Sequence, residues 1–239
     1  MTLTTFRKLC LLFLTANITV LAVNAQIEIG IKGGLNSAEI LTSTDQGVNV
    51  NGSAMAIRNF PRTDFHAGFL VSIPLIKKFS LQPEILYSEQ GASGNPTGGY
   101  LVSATEKYKF NYVNIPVLLQ YKLPLGFYAE TGPQVGLLVS ANIVEDIVGA
   151  STTNTYHVKD QYKSTDFSWA FGGGYISPIN LGLDIRYNLG LNDINNASTT
   201  GTHTAPVQAG TIRNSVLQIG VFYLFGKLRN PPPADTEIK

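Results

Sequence analysis

Between Leu181 and Asn192 the sequence alternates without an error: Leu, Gly, Leu, Asp, Ile, Arg, Tyr, Asn, Leu, Gly, Leu, Asn. Odd positions are apolar, and even positions are glycine, a charge or an amide. A period of two is the signature of a β-strand whose faces meet different solvents. A strand of a soluble sandwich would rarely aim Asp184, Arg186 and Asn188 to one side and still carry Leu, Ile and Tyr over so long a run. About ten alternating residues, tilted, is the length that crosses a bilayer in a barrel. The segment therefore predicts lipid outside and a polar lumen inside.

The N-terminus reads as a secretory signal peptide over residues 1–25. Arg7 and Lys8 form a charged start, Leu9 to Val23 an apolar stretch, and Val23-Asn24-Ala25 a small-residue cleavage site before Gln26. The stretch is shorter than the ~20 apolar residues of a spanning helix, and Asn17 interrupts it. The single cysteine, Cys10, lies inside this segment and ahead of most of the apolar run. The mature chain is thus expected to carry neither lipid anchor nor disulfide. Cleavage moves the formal charge from +1 to −1, because the leader holds two basic residues and no acid. A nearly neutral chain has no electrostatic footprint for nucleic acid. Charged residues are 14% of the sequence, well below the quarter typical of soluble domains. No later apolar run reaches helix-spanning length, so the low charge points to strands.

Seven further segments alternate in the same way. Strands are expected near 27–36, 64–75, 79–91, 107–122, 126–140, 165–177, 180–192 and 213–225. Their connections alternate too. Ile76-Lys77-Lys78, Leu123-Pro124-Leu125 and Ser177-Pro178-Ile179 are tight links, whereas 37–63, 92–106, 141–164 and 193–212 are long and polar. Short periplasmic turns with long extracellular loops are the asymmetry of outer-membrane barrels. The fold predicted is all-β: a closed, eight-stranded, antiparallel, up-and-down transmembrane barrel over residues 26–226. Residues 227–239, with Pro231-Pro232-Pro233, read as a disordered periplasmic tail. Pro74, Pro83, Pro116 and Pro133 fall inside these strands, where bulges or strand ends are the expected accommodation. Outward aromatics form two sets. Phe79, Tyr121, Phe127, Tyr175, Tyr223 and Phe225 lie near the tight links, and Phe65, Tyr87, Phe167 and Trp169 near the long ones, as membrane–water girdles require. Val48-Asn49-Val50-Asn51-Gly52 suggests a hairpin in the first long connection.

Inward parity collects Glu28, Lys32, His66, Glu84, Lys122, Glu130, Asp184 and Arg186. Lys32, Glu84, Glu130, Asp184 and Arg186 stand at similar heights and are expected to form one paired, hydrogen-bonded polar plug, since an unpaired buried charge is costly. An ion path along these residues and paired-acid catalysis are the rival readings. Nucleophile-elbow, H-E-x-x-H and P-loop motifs are missing. Gly172-Gly173-Gly174 sits mid-strand with no helix after it, which fits close packing rather than phosphate binding. His157 and His203 fall in different long connections; a calcium site from Glu145, Asp146 and Asp160, or from Asn192 and Asp193, is only weakly suggested. No catalytic residue, cofactor or metal ligand is assigned.

Five ordered motifs carry a resemblance: Gly30-Ile31-Lys32-Gly33-Gly34-Leu35-Asn36; Leu81 through Gly91 (LQPEILYSEQG); Asn111 through Leu119 (NYVNIPVLL); Gly132-Pro133-Gln134-Val135-Gly136; and Leu183 through Leu191 (LDIRYNLGL). Together they resemble the PorT-like outer-membrane β-barrel domain of Bacteroidetes over nearly the whole mature chain. The resemblance implies an eight-stranded barrel in the outer membrane, and it assigns no catalytic residue. The expected role is that of an envelope structural or surface-interaction protein, embedded in outer-membrane lipid, with partners met through loops 37–63 and 141–164. An accessory role in protein secretion and a rim enzyme are the alternatives. Ligand and oligomeric state are not encoded in any motif.

Overall fold

The computed structural model describes residues 27–42, 48–50, 53–97, 104–147, 152–196 and 211–226. Both the leader and the tail expected from sequence lie outside these residues, as do His203 and the tips of the long connections. In chain order the strands are β1 (Glu28–Thr42), β2 (Val48–Val50), β3 (Ser53–Ile76), β4 (Phe79–Thr97), β5 (Ala104–Lys122), β6 (Phe127–Ile147), β7 (Thr152–His157), β8 (Thr165–Ile176), β9 (Leu181–Gly190) and β10 (Ile212–Phe225). Eight of them form a ring. β1, β3, β4, β5, β6, β8, β9 and β10 pair with their sequence neighbours, and β1 also pairs antiparallel with β10. Closure satisfies backbone groups that lipid could not. The all-β meander expected from sequence is the fold observed.

Alternation decides which face is which. Along β9, odd residues are exposed and even residues buried, apart from half-buried Leu189. The register repeats this around the ring: Ile31 lies opposite both Tyr223 and Phe69, all three outward. Outward aromatics gather in contacting pairs. Phe79–Tyr121, Phe127–Tyr175 and Tyr223–Phe225 have ring centroids 5.0, 5.2 and 5.2 Å apart near the tight turns, and Phe65–Tyr87 are 6.0 Å apart at the other end. From Phe79 to Tyr87 is about 27 Å of strand. A tilt near 40° makes that roughly 20 Å of height, close to the apolar band of a membrane barrel. Among the described residues no helix is long and apolar enough to cross a membrane; the crossing is made by strands.

The tight turns close with local devices. A 3-10 turn at Pro124–Gly126 joins β5 to β6, with Leu125 and Gly126 at φ 62° and 89°. Glycine takes that region freely, whereas at Leu125 it strains the backbone. Asn180 supplies the left-handed residue between β8 and β9 at φ 64°, and its carbonyl accepts from Leu224 N–H at 3.1 Å.

Three of the four long connections differ from expectation. β3 and β6 run for 24 and 21 residues, against 12 and 10 in β8 and β9. Much of 37–63, 92–106 and 141–164 is therefore strand rather than loop. β1 and β3 stay paired only as far as Ala38–Arg62, above which β3 pairs with β4 and β2. Likewise β6 leaves β8 beyond Leu137–Thr165 and takes β7 instead. One wall of the barrel, β3 to β6, thus rises past the aromatic band and carries a short strand on each side. These segments hide in sequence because a strand wetted on its outer face and rich in Thr, Asn and Ser loses its alternation. The hairpin expected at Val48 to Gly52 is seen in part, as β2 against Ser53–Met55.

Prolines are accommodated in two ways. Pro74 lies at a register shift beside the β3–β4 turn. Pro83, Pro116 and Pro133 instead keep register with Val117, Gln134 and Trp169, so no bulge or strand end is involved there. Rungs between Pro83 and Leu86, and between Pro116 and Leu119, are skipped while the register continues. The missing N–H costs a rung and leaves the alignment intact.

Ile185 is 52% exposed on the outer face at mid-height. Ile185→Arg is expected to cost about 2–4 kcal/mol of folding free energy in a bilayer. Reversible denaturant folding in lipid vesicles measures it, and a cost near zero would contradict an outward lipid face.

Candidate functional site

The lumen is filled, and it is filled in layers. At mid-height Lys32 of β1, Glu84 of β4, Glu130 of β6, and Asp184 and Arg186 of β9 converge. Arg186 donates to Glu84 through Nη1 and Nη2 at 2.8 and 2.9 Å, a bidentate pair. Its Nε donates to Glu130 Oε1 at 2.8 Å. Lys32 Nζ donates to Asp184 Oδ2 at 2.6 Å and stands 3.7 Å from Glu84 Oε1. Two amides complete the carboxylates: Gln82 Nε2 donates to Glu84 at 2.7 Å and Gln120 Nε2 to Glu130 at 3.0 Å. All five charged residues are buried. Desolvating ions is offset only where geometry is this good and the other lone pairs are met.

Glycines make room for the layer. Gly172 lies in the ladder between Glu130 and Arg186, and a Cβ there would stand 2.6 Å from Ile185 O and 3.2 Å from Arg186 Cβ. Gly220 faces Asp184, and a Cβ there would strike Asp184 Oδ1 and come within 3.1 Å of Lys32 Cε. The triple glycine at 172–174 is thus a packing device inside β8, with Gly174 held close to the Tyr128 hydroxyl.

Apolar layers bound the ions, which a reading of charged inward positions did not anticipate. Toward the tight turns lie Leu70, Tyr128, Ile176, Phe222 and Leu224. Toward the tall wall a belt of amides comes first. Asn188 Nδ2 donates to Gln218 at 2.9 Å, Gln218 Nε2 to Asn36 at 3.0 Å, and Gln134 Nε2 to Ser168 at 3.0 Å. Above it an apolar cluster joins Phe110, Tyr112, Leu138 and Ile143 of the wall to Val158, Ile194 and Ile212. Tyr162 seals this cap edge-on against Phe110, ring centroids 4.7 Å apart, and burial pushes its phenol up to about 12. Inward parity was the signal that could have found these residues: the same rule that selects Glu84 also selects Gln82, Leu86 and Leu70.

The other residues singled out from sequence are scattered. His66 is buried beside the ion layer, with Nδ1 2.8 Å from Asn36 Oδ1. His157 contacts Asn142 Oδ1 at 2.7 Å on the outside. Three of the acids that the sequence offers for calcium, Glu145, Asp146 and Asp193, are bonded separately. Asp146 accepts from Lys107 at 2.8 Å, a bond that lowers its pKa, and Glu145 from Tyr156. Asp193 accepts from the backbone N–H of Ile212 and Asn195. Among the described residues no cluster of His, Cys, Asp and Glu could hold a metal. Outside the barrel, a groove of about 700 Å3 opens beside Lys159, Tyr162, Lys163, Phe167, Asn192 and Asn196.

A closed ring with a lipid-facing exterior and a charged, layered interior defines an outer-membrane β-barrel. The chain belongs to the outer membrane protein beta-barrel domain family, whose model matches residues 22–196, and it resides in the bacterial outer membrane. Among solved structures, the Neisserial surface protein A is 11% identical, with 82% of this chain and 97% of that one covered at a TM-score of 0.41. The attachment invasion locus protein Ail of Yersinia pestis is 10% identical, with 83% and 98% covered at 0.39. OprG of Pseudomonas aeruginosa is 10% identical, with 84% and 96% covered at 0.41. Among curated proteins none matches the sequence.

Arg186→Ala removes the partner of two buried carboxylates and should cost about 3–5 kcal/mol. Lys159→Ala, on an exposed turn, should stay within about 0.5 kcal/mol. Denaturant unfolding of the two variants in lipid compares them, and equal midpoints would show that the layer does not hold the barrel.

Proposed function

We propose that this protein is an envelope barrel whose lumen is a structural plug and whose raised wall is a surface for recognition outside the cell. The observation that carries the reading is the contrast between the two. The lumen is spanned by ion pairs and bounded above and below by apolar clusters. The wall of β3 to β6, flanked by β2 and β7, extends beyond the aromatic band as ordered sheet. Contacts with the surroundings then fall to segments 37–63 and 141–164 rather than to a channel. By the usual asymmetry of such barrels, the tight turns face the periplasm and the raised wall faces out. Both termini are then periplasmic, with residues 1–25 a cleaved leader and 227–239 a tail.

The five motifs that resemble the PorT-like barrels of Bacteroidetes support placing the chain in that branch of the family. They also keep a second reading, an accessory of an outer-membrane secretion machine docking through the turns and tail. No residue is assigned a catalytic role in either reading.

The leader holds the single cysteine of the sequence, so engineered thiols report cleanly. Thr153→Cys, exposed on β7, should react with a membrane-impermeant maleimide on intact cells, and Lys77→Cys only after the outer membrane is opened. The reverse pattern would overturn the orientation and the surface role with it. Deletion of the gene should leave protein export intact; loss of exported cargo would favour the secretion accessory.

A further inference from the structure

Beside β8, where lipid gives way to water, the outer surface is indented and carries positive charge. The groove of about 700 Å3 opens where β6 parts from β8. Its lower lip is Phe167, 49% exposed. Phe167 stands eight residues along β8 from Tyr175, just as Tyr87 stands eight along β4 from Phe79. Tyr175 and Phe79 both belong to aromatic pairs beside the tight turns. Phe167 and Tyr87 therefore share one height, about 27 Å of strand away. That height is the aromatic band on the side of the raised wall, with lipid below it and water above.

Two cations line the same groove. Lys163 Nζ donates to the Asp193 carbonyl at 2.9 Å and stands 3.9 Å from its carboxylate, yet the lysine side chain remains 48% exposed. Lys159 is exposed, and its ammonium has no partner among the described residues. Against them the groove sets one acid, Asp160. An ammonium offers three donors, so most of these N–H groups are left to solvent or to an anion. The backbone that carries them is held in place. Lys163 N–H donates to the Ile194 carbonyl at 2.8 Å and Asn196 N–H to that of Gln161 at 3.0 Å. Asn192 Oδ1 accepts from Phe167 N–H at 2.6 Å. Tyr162, between the two lysines, is anchored on Phe110. A ligand met here has little chain to order.

We propose that this groove binds the phosphate headgroup of a membrane lipid in the leaflet on the side of the raised wall. Lys159 and Lys163 take the phosphate, and an acyl chain runs down over Phe167 toward Trp169, which is also outward and exposed. Charge and height together select the occupant. A soluble phosphate would use the lysines and gain nothing from Phe167, whereas a neutral lipid would use Phe167 and leave the lysines unmet. Charge-assisted bonds from ammonium to phosphate are the strong kind, and the apolar lip holds the headgroup at their level. Each lysine near a membrane surface strengthens binding of an anionic headgroup about fivefold, and two together about thirtyfold. The site does not depend on which way the barrel faces; the orientation proposed above makes this leaflet the outer one.

Trp169 is the only tryptophan of the sequence and stands two residues below Phe167 on the same face, so its fluorescence reports the lipid at this place. The full mature barrel is reconstituted in phosphatidylcholine vesicles, with phosphatidic acid or phosphatidylcholine carrying brominated acyl chains as the quencher. Both leaflets hold the probe, so the readout is independent of the orientation that thiol labelling tests. Phosphatidic acid should quench Trp169 in preference to phosphatidylcholine. Lys159→Ala and Lys163→Ala should each reduce that preference about fivefold, and Lys77→Ala, beside a tight turn at the other end, should leave it intact. Equal quenching by the two lipids would overturn the proposal, as would a preference that survives loss of both lysines. Abolition of the preference by excess inorganic phosphate would assign the groove to a soluble anion and overturn the lipid reading. If a lysine variant fails to fold, the two lipids compared on the unaltered barrel, with and without inorganic phosphate, decide alone.

Discussion

The guanidinium of Arg186 lies in the lumen where charged side chains from opposite sides of the ring meet. Its two terminal nitrogens hold Glu84 at 2.8 and 2.9 Å and its Nε holds Glu130 at 2.8 Å. Through these bonds β9 is tied across the lumen to β4 and β6, while Lys32 ties β1 to β9. Lipid outside and apolar clusters at both ends leave these ions no water to retreat to. Each must be met by a partner inside the barrel. That requirement explains why Gly172 and Gly220 have no side chains and why Gln82 and Gln120 stand beside the acids they serve.

Much of this was legible in the sequence because a two-faced strand writes its environment at every second position. The run from Leu181 announces β9, and the same parity puts Asp184 and Arg186 inside and Leu183, Ile185 and Tyr187 outside. Tight links against long ones gave the meander and its ends. Parity also placed the five charged residues inward, and the structure brings them within bonding distance. What it could not supply was pairing across the lumen. Which acid Arg186 takes depends on stagger and tilt, which no local pattern encodes. The apolar caps escaped for a related reason: Leu70 and Phe222 share the parity of the ions, and only height separates them. The upper parts of β3 to β6 escaped because solvent, not lipid, meets their outer face. The prolines taught a narrower lesson, since Pro83, Pro116 and Pro133 interrupt rungs without shifting register.

A barrel built this way divides its labour by height. The band between the aromatic pairs answers to the membrane, and the ion layer within it fixes how the strands are matched. The raised wall is released from both constraints, and its polar composition can vary without disturbing the ring. On the function proposed above, this division leaves the lumen with a structural task.

The central claim is that the lumen is shut by the Arg186 layer and the apolar clusters around it. Purified protein inserted into a planar lipid bilayer tests it most directly. A closed lumen predicts no steady conductance above the bare membrane, with ion flow appearing only when the bilayer itself is disturbed. Stable ohmic channels of uniform size would contradict the account, because continuous water could not pass Phe222, Arg186 and Phe110 in the arrangement described.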